Sequence, residues 1–353
     1  MKNLLLLFGG RSSEHDISCM SAENVLSEID REKYRVYPVG ITEEGAWLYV
    51  PDTGKTVLTD GSWKKTGTPA LLSPDAVRKA LYIAGENGYE EIRIDAAFPV
   101  LHGLNGEDGT VQGLFELAGI PYVGCGVFAS AASMDKSMTK ILVGPLGIRQ
   151  AKSVLIYRKE IQQDAEKAAA KAELALPYPI FIKPACAGSS VGVNKAEDHE
   201  SLKAALIEAA KHDRKILAEE CINGRELECA VYGDQDTTLV SGVGEILSAA
   251  EFYDFDAKYH NADSRTDTSP VLPEGVEEEI RSAAARIFRA VDAYSLSRVD
   301  FFLDEKGIVF NEINTMPGFT AISMYPMLFE KQGIGKRELV ARLIESAFTH
   351  REH

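Results

Sequence analysis

The first third of this chain repeats one pattern: a short apolar run, a glycine-bearing loop, then a segment with helical spacing. Nothing else in the sequence constrains the fold as strongly. Residues 3–8 read as a strand buried on both faces, Gly9-Gly10-Arg11-Ser12-Ser13 as a turn, and residues 16–29 as a helix with Ile17, Met20, Val25 and Ile29 on its apolar side. A second strand spans 34–41 and a short third 47–50, while residues 51–75, rich in Gly, Thr, Lys and Pro, read as an irregular surface excursion. Residues 95–101 form another strand, 102–109 a second glycine loop and 110–118 a helix, which Gly119-Ile120-Pro121 closes with a C-cap glycine and a following proline. Such alternation predicts a doubly wound, mostly parallel α/β sheet. Ligands bind such sheets at the carboxyl ends of the strands, where both glycine loops lie.

Near residue 133 the pattern changes to α+β. A helix starts over 134–142, a strand follows at 151–157, and 159–175 reads as one charged, alanine-rich surface helix. Residues 180–183, a Gly-Ser loop and 192–195 form a strand-loop-strand unit, followed by a helix at 203–212 and a strand at 216–220. A larger sheet region begins at 226. It is interrupted by 248–270, a polar and aromatic stretch too long for a passive connection and therefore either a lid or a disordered excursion. These shifts divide the chain into residues 1–133, 134–222 and 223–353, in line with the two or three domains that 353 residues predict.

Charge and cysteine content narrow the function. A net charge of −15 argues against nucleic acid and against an anionic membrane surface as partners, although a few lysines in a cleft can still hold a phosphate. The five cysteines are odd in number and form no C-x-x-C, so free thiols in a reducing compartment are expected. No histidine pair has zinc spacing, and no apolar run approaches a membrane span, which makes the cytoplasm the simplest location.

One hairpin carries chemistry on a single face. Residues 299–303 and 308–313 are strand runs, and Glu305-Lys306-Gly307 reads as a three-residue turn. That turn pairs Asp304 with Ile308, Asp300 with Glu312 and Arg298 with Asn314, placing the last four on one side of the sheet. Two acids and an amide together repel unless a cation sits among them, and oxygen ligands of this kind suit magnesium. The plain alternative is a solvated hairpin face. The flanking Phe301-Phe302-Leu303 and Ile308-Val309-Phe310 favour a buried sheet.

Four more segments carry candidate groups. Gly9-Gly10-Arg11-Ser12-Ser13-Glu14 turns from strand to helix, so its amides can face an anion, or it is a tight turn with Ser12 or Ser13 as N-cap. It is not G-x-G-x-x-G, which disfavours a dinucleotide site. Lys183, at a strand end before Gly188-Ser189-Ser190-Val191-Gly192, can fold amides over phosphates as a flap, or is a plain hairpin turn. Glu219-Glu220-Cys221-Ile222 with Glu226 leads out of one domain into the next and can read a purine and its ribose, or is merely solvated. The aromatics of 252–259 either dock over a substrate as a lid or pack beneath their own loop.

In this order and spacing, the chain resembles D-alanine–D-alanine ligases of the ATP-grasp superfamily nearly end to end. The likeness rests on Gly9-Gly-Arg-Ser-Ser-Glu14-His-Asp-Ile-Ser18, Leu101-His102-Gly103 with Gly106-Glu-Asp-Gly109, Ser133-Met-Asp-Lys136, Lys183 with Gly188-Ser-Ser-Val-Gly192, Tyr253-Asp-Phe-Asp-Ala-Lys258-Tyr259, Arg298-Val-Asp300, and Asn311-Glu312-Ile-Asn314-Thr-Met-Pro-Gly318. The resemblance implies that the two later regions form a two-domain ATP-grasp fold. It also implies that ATP phosphorylates the carboxylate of one D-alanine, that the amine of a second attacks the acyl phosphate, and that the dipeptide serves peptidoglycan precursors.

Carried over residue by residue, the resemblance implies that Lys136, Lys183 and Lys258 neutralise ATP phosphates under the Ser189–Ser190 loop. Glu219, Glu220 and Ile222 would face adenine, with Glu226 on the ribose. Asp300, Glu312 and Asn314 would bind two magnesium ions, with manganese as a substitute. Glu14 would pair with the first D-alanine's ammonium, with His102 nearby. Arg298 and the Gly318 amide would stabilise the tetrahedral oxyanion, and Ser323 with the Met324 amide would hold the second D-alanine. Tyr259, Ser189 and Glu14 would form a triad joining lid, flap and first loop. The family also suggests a homodimer through the N-terminal region. Two departures touch nucleotide contacts: Ala187 replaces a polar residue of some relatives, and Glu220 replaces a lysine. Two rivals remain, a dinucleotide oxidoreductase and a nucleotide-binding regulator without catalysis. The first leaves the metal face and lid unexplained, and the retained Asp300, Glu312, Asn314, Lys136, Lys183 and Arg298 argue against the second.

Overall fold

Leu4, Leu5, Leu6, Leu7 and Phe8 are all fully buried, which a strand achieves only in the middle of a sheet covered on both faces. The structure, a computed structural model, describes residues 1–52, 57–188, 191–247 and 265–349. In it Lys2–Gly9 runs parallel to Tyr34–Ile41 on one side and to Ala96–Pro99 on the other. Helices His15–Glu28 and Thr110–Ala118 follow the two glycine loops, as expected. The sheet then extends in antiparallel fashion through Trp47–Tyr49, Thr68–Leu72, Ala80–Gly85 and Gly88–Arg93, seven strands in all.

Part of that extension corrects the sequence reading of 51–75 as irregular. Thr68–Leu72 is a strand, and Trp63 opens a helical turn and buries its ring edge-on to Phe8, with centroids 5.0 Å apart. The outermost strand, Gly88–Arg93, is exposed along nearly its whole length, so it lacks the apolar alternation that identifies a strand.

The middle of the chain forms a four-stranded antiparallel sheet in the order Asn194–Ala196, Ile180–Pro184, Lys215–Glu220, Ser153–Tyr157. The helix expected over 134–142 begins instead after Asp135, and the one expected over 159–175 is divided at Asp164. Asp135 ends Val127–Met134 and caps Lys136–Val143, accepting from the amides of Ser137 and Met138. Asp164 separates Arg158–Gln163 from Ala165–Glu173 and accepts from Lys167 N at 3.0 Å. In both, a short carboxylate competes better for free amides at a helix start than it could mid-helix.

The last third builds a five-stranded antiparallel sheet ordered Arg265–Asp267, Thr238–Leu247, Arg225–Gly233, Ser295–Asp304, Gly307–Asn314. Arg265–Asp267 pairs with Glu245–Leu247, so the end of the 248–270 excursion is sheet edge; residues 248–264 lie outside the described residues. Helix Val276–Ala290 covers one face, while Met324–Lys331 and Lys336–Thr349 lie against the other. The second core is shared between the chain ends: Leu4, Phe8, Phe98 and Val123 pack with Leu296, Phe319, Tyr325 and Leu343. The central sheet has a core of its own, built around Ile156, Ile180, Leu206 and Ile216.

The hairpin reaches its expected pairing by an unexpected route. Its turn has two residues, Glu305 and Lys306, so Asp304 pairs with Gly307 and Leu303 with Ile308. A register shift after Phe301↔Phe310 then passes over Asn311 and restores Asp300↔Glu312 and Arg298↔Asn314. The bulge supplies the residue that the shorter turn removes.

Candidate active site

Three walls meet at one cleft. Its lining includes Glu14 and Gly103 from the first sheet's loops, Lys136, Lys183 and Gly188 from the central region, and Arg298, Asp300, Glu312 and Asn314 from the hairpin. Beside it lies a second pocket lined by Phe181, Glu219, Glu220, Ile222, Phe302 and Phe310, and the two share Lys183, Glu226, Phe302 and Asn311. A charged chamber thus adjoins a partly aromatic one.

On the hairpin face Arg298 lays its fork on Asp300, with Nε 2.8 Å from Oδ1 and a terminal nitrogen 2.7 Å from Oδ2. Asn314 Nδ2 donates to Asp300 Oδ2 at 2.9 Å, leaving its carbonyl oxygen as acceptor. Arg298 also lies 3.1 Å from Glu228 Oε2. Burial disfavours its charge, but Asp300 and Glu228 outweigh that and raise the guanidinium well above its ordinary range. Glu228 was missed by sequence reasoning. Its signal was a carboxylate inside the apolar strand segment Leu227-Glu228-Cys229-Ala230-Val231. The donor set of two carboxylates and one amide oxygen on one sheet face fits a hard divalent cation. Its negative charge is balanced here by Arg298 and by Lys136, whose Nζ lies 3.1 Å from Glu312 Oε2 and 3.1 Å from the Ala187 carbonyl.

Lys183 faces Glu219 across the strands, Nζ 2.9 Å from Oε2, and Lys140 reaches the other oxygen at 2.8 Å. Burial alone would push the Glu219 carboxyl up, yet the two lysines override it and hold it at about 2. Lys183 shows the reverse balance: burial opposes its charge, and Glu219 raises its pKa. Glu220 is turned aside, accepting from Lys152 N at 2.8 Å, while Ile222 and Glu226 line the partly aromatic pocket. Behind Lys136, buried Lys215 pairs with Asp135 at 2.5 Å and Lys136 N donates to Ala185 O at 3.0 Å, which ties the helix start to the neighbouring strands. Neither Lys140 nor Lys215 had stood out in the sequence, since lysines in helices and strands are ordinarily solvated.

Glu14 is buried on the opposite wall. A Cβ on Gly103 would stand 2.4 Å from its Oε2, and one on Gly188 2.8 Å, so both loops approach its carboxylate by virtue of being glycine. Glu14 itself holds the N-cap position that the sequence suggested for Ser12 or Ser13; Ser12 Oγ instead donates to His102 O at 2.8 Å.

His102 lies behind this wall. Its Nδ1 is 3.0 Å from Met316 O and its Nε2 3.0 Å from Ser21 Oγ, which also accepts from Phe319 N at 3.1 Å. It therefore braces the loop that carries Gly318. That loop adjoins Ser323, whose Oγ accepts from Thr320 N at 2.9 Å and would meet a Cβ on Gly318 at 2.8 Å. Met324, buried, starts the next helix. Ser189, Ser190, Lys258 and Tyr259 lie outside the described residues.

Comparisons with known proteins agree along the whole chain. Residues 3–125 match the family model described as D-ala D-ala ligase N-terminus, and residues 142–345 match D-ala D-ala ligase C-terminus. A D-alanine–D-alanine ligase from Acetivibrio thermocellus is 49% identical, covering 98% of this chain and 96% of that protein; one from Caldicellulosiruptor bescii is 47% identical, covering 97% and 94%. Among solved structures, the VanG D-Ala:D-Ser ligase from Enterococcus faecalis superposes with a TM-score of 0.88 at 38% identity, covering 98% of this chain and 99% of that one. The D-alanine–D-alanine ligase from Coxiella burnetii gives 0.84 at 31% identity, covering 99% and 96%.

Proposed function

We infer the division of labour at this site from one premise: the chain belongs to the D-alanine–D-alanine ligase family and has its ATP-grasp fold. The reaction of the family is ligation of two D-alanines with ATP, releasing ADP and phosphate, for peptidoglycan precursor synthesis. The first D-alanine carboxylate attacks the γ-phosphorus and ADP leaves. The second D-alanine's amine then attacks the acyl carbonyl, loses a proton, and expels phosphate.

The observation that carries the assignment of roles is the facing of Lys136 and Lys183 by Asp300, Glu312 and Asn314 in one cleft with Glu14. In the reading proposed here, Lys136 and Lys183 leave their carboxylates for ATP phosphates, joined by Lys258 from the lid and by the Ser189–Ser190 amides. Asp300, Glu312 and Asn314 hold two magnesium ions, or manganese in their place. When bound, these ions supply charge neutralisation at the phosphate oxygens. Glu219, with the Ile222 backbone, reads adenine, and Glu226 reads the ribose. Glu220, which faces Lys152, plays a lesser part.

Glu14 binds the first D-alanine's ammonium, and His102 acts through the loop it braces. Arg298 and the Gly318 amide stabilise the oxyanion. Ser323 and the Met324 amide take the second carboxylate. Tyr259, Ser189 and Glu14 close the site and keep water from the acyl phosphate. The boundaries 1–133, 134–222 and 223–353, a homodimer through the N-terminal region and a cytoplasmic location complete the reading. No described helix is long and apolar enough to cross a membrane.

The test is magnesium-dependent ADP release with D-alanine alone, and with D-alanine plus D-serine or D-lactate. D-Alanine alone should support full turnover. A preference for either mixed product near neutral pH would overturn D-alanine as second substrate.

A further inference from the structure

Lys140 has no role in the account above, yet it is held as firmly as any group in the cleft. It lies one helical turn after Lys136, and so on the same face of Lys136–Val143. Its ammonium donates to Ala151 O at 3.0 Å and lies 2.8 Å from Glu219 Oε1, while its backbone carbonyl accepts from Gln150 Nε2 at 3.2 Å. It lines the partly aromatic pocket together with Glu219.

We propose that Lys140 is a positioning residue for purine recognition, holding the Glu219 carboxylate ionised and in one orientation and thereby setting a preference for adenine over guanine. The inference rests on the reading of Glu219 as the group that accepts from the adenine amino nitrogen. Glu219 is buried, and in this structure each of its oxygens has its own lysine. In the proposed function Lys183 moves to the phosphates once nucleotide binds. Without Lys140, that departure would leave a buried carboxylate uncompensated, and the group would take a proton or turn away. With Lys140 anchored on Ala151 O and not on the nucleotide, one cation stays behind and Glu219 remains a pure acceptor. Adenine presents an amino donor at this position and guanine a carbonyl, so an ionised, fixed carboxylate accepts the first and repels the second. A protonated Glu219 could donate to the guanine carbonyl, and discrimination would fall.

The experiment is steady-state kinetics of Lys140→Met, Lys140→Arg and Glu219→Gln with ATP, GTP and D-alanine as varied substrates. Lys140→Met should raise KM for ATP by at least about tenfold and keep kcat within about threefold. Its KM for D-alanine should stay unchanged, and the ATP-over-GTP ratio of kcat/KM should fall by about tenfold or more. Lys140→Arg should restore most of that ratio. Should Lys140→Met fail to fold, Lys140→Gln, which keeps a donor toward Ala151 O without the charge, makes the same comparison. If Glu219→Gln collapses the nucleotide preference while the uncharged Lys140 variants retain it, the inference fails and the reading of Glu219 stands. If all variants retain it, both fail.

Discussion

The placement of the Gly318 loop invites a sharp test, Gly318→Ala. Gly318 has no positive φ, so the substitution introduces no backbone strain and acts only through the space its methyl needs. That methyl would lie 2.8 Å from Ser323 Oγ. Contact without repulsion needs about 3.5 Å, so loop and serine must part by about 0.7 Å. Ser323 Oγ cannot yield freely, because it accepts from Thr320 N at 2.9 Å and lies 2.8 Å from Thr320 Oγ1. The displacement therefore falls on the Gly318 amide, on the serine, or on both, and each is assigned to the second half-reaction. A misplacement of about 1 Å costs on the order of a hundredfold, so kcat should drop about tenfold to a hundredfold, or about 1.4–2.8 kcal/mol of barrier. KM for D-alanine at its second site should rise as well. The assay is ADP release against D-alanine concentration at saturating ATP, with Gly335→Ala as control, since nothing lies within 4 Å of a Cβ there. A Gly318→Ala rate within twofold of the parent, or an equal loss in the control, would refute the reasoning.

Three further outcomes are expected. Glu312→Gln should weaken manganese binding in the presence of ADP by about tenfold or more while the melting temperature holds, because Glu312 is only half-buried; near-parental affinity in a manganese titration counts against the metal assignment. Lys215→Met should lower stability by about 3 kcal/mol, because it leaves buried Asp135 without its cation, held only by hydrogen bonds from Ser137 and the Met138 amide; an unmoved thermal midpoint rejects this. The Arg149 hydrogen bond holds the Asp304 carboxyl down at about 2, against an ordinary 3.8. A depressed carboxyl contributes stability that is full above about pH 4 and lost as pH falls toward 2, so Arg149→Met should flatten the fall in stability over that window. Parallel pH curves for the two proteins would show the pair to be inert.

What was legible in the sequence divides along physical lines. Glycine loops between apolar runs announce themselves through backbone chemistry, and the parallel strands and both flanking helices followed from them. The hairpin shows how a correct pairing can rest on an incorrect turn: counting from a three-residue turn aligned Asp300 with Glu312, and the two-residue turn reaches the same alignment only because Asn311 is bulged out. Periodicity carries no mark for such a bulge. The two aspartates at helix starts were ambiguous for a related reason, since the Asp135 carboxylate is held by Lys215 from a strand far away in sequence, and Asp164 sits between two stretches that share one helical composition. The paired partners were hidden most completely. Lys140, Lys215 and Glu228 gain their meaning from residues far away in sequence, and no local spacing reveals a lysine that will be buried against an acid. His102 was visible as a polar residue at a strand end, but its work on Met316 O spans the two ends of the chain and shows only in three dimensions.

That shared core between the chain ends has a consequence for heredity. A fragment of residues 1–133 would turn Leu4, Phe98 and Val123 toward water where Phe319, Tyr325 and Leu343 now lie, whereas the central sheet would carry its whole core with it. Recombination between relatives can therefore exchange the middle of the gene as one piece. The first third is bound to travel with its own last two helices, and a crossover that separates them yields a chain whose halves were never selected to touch.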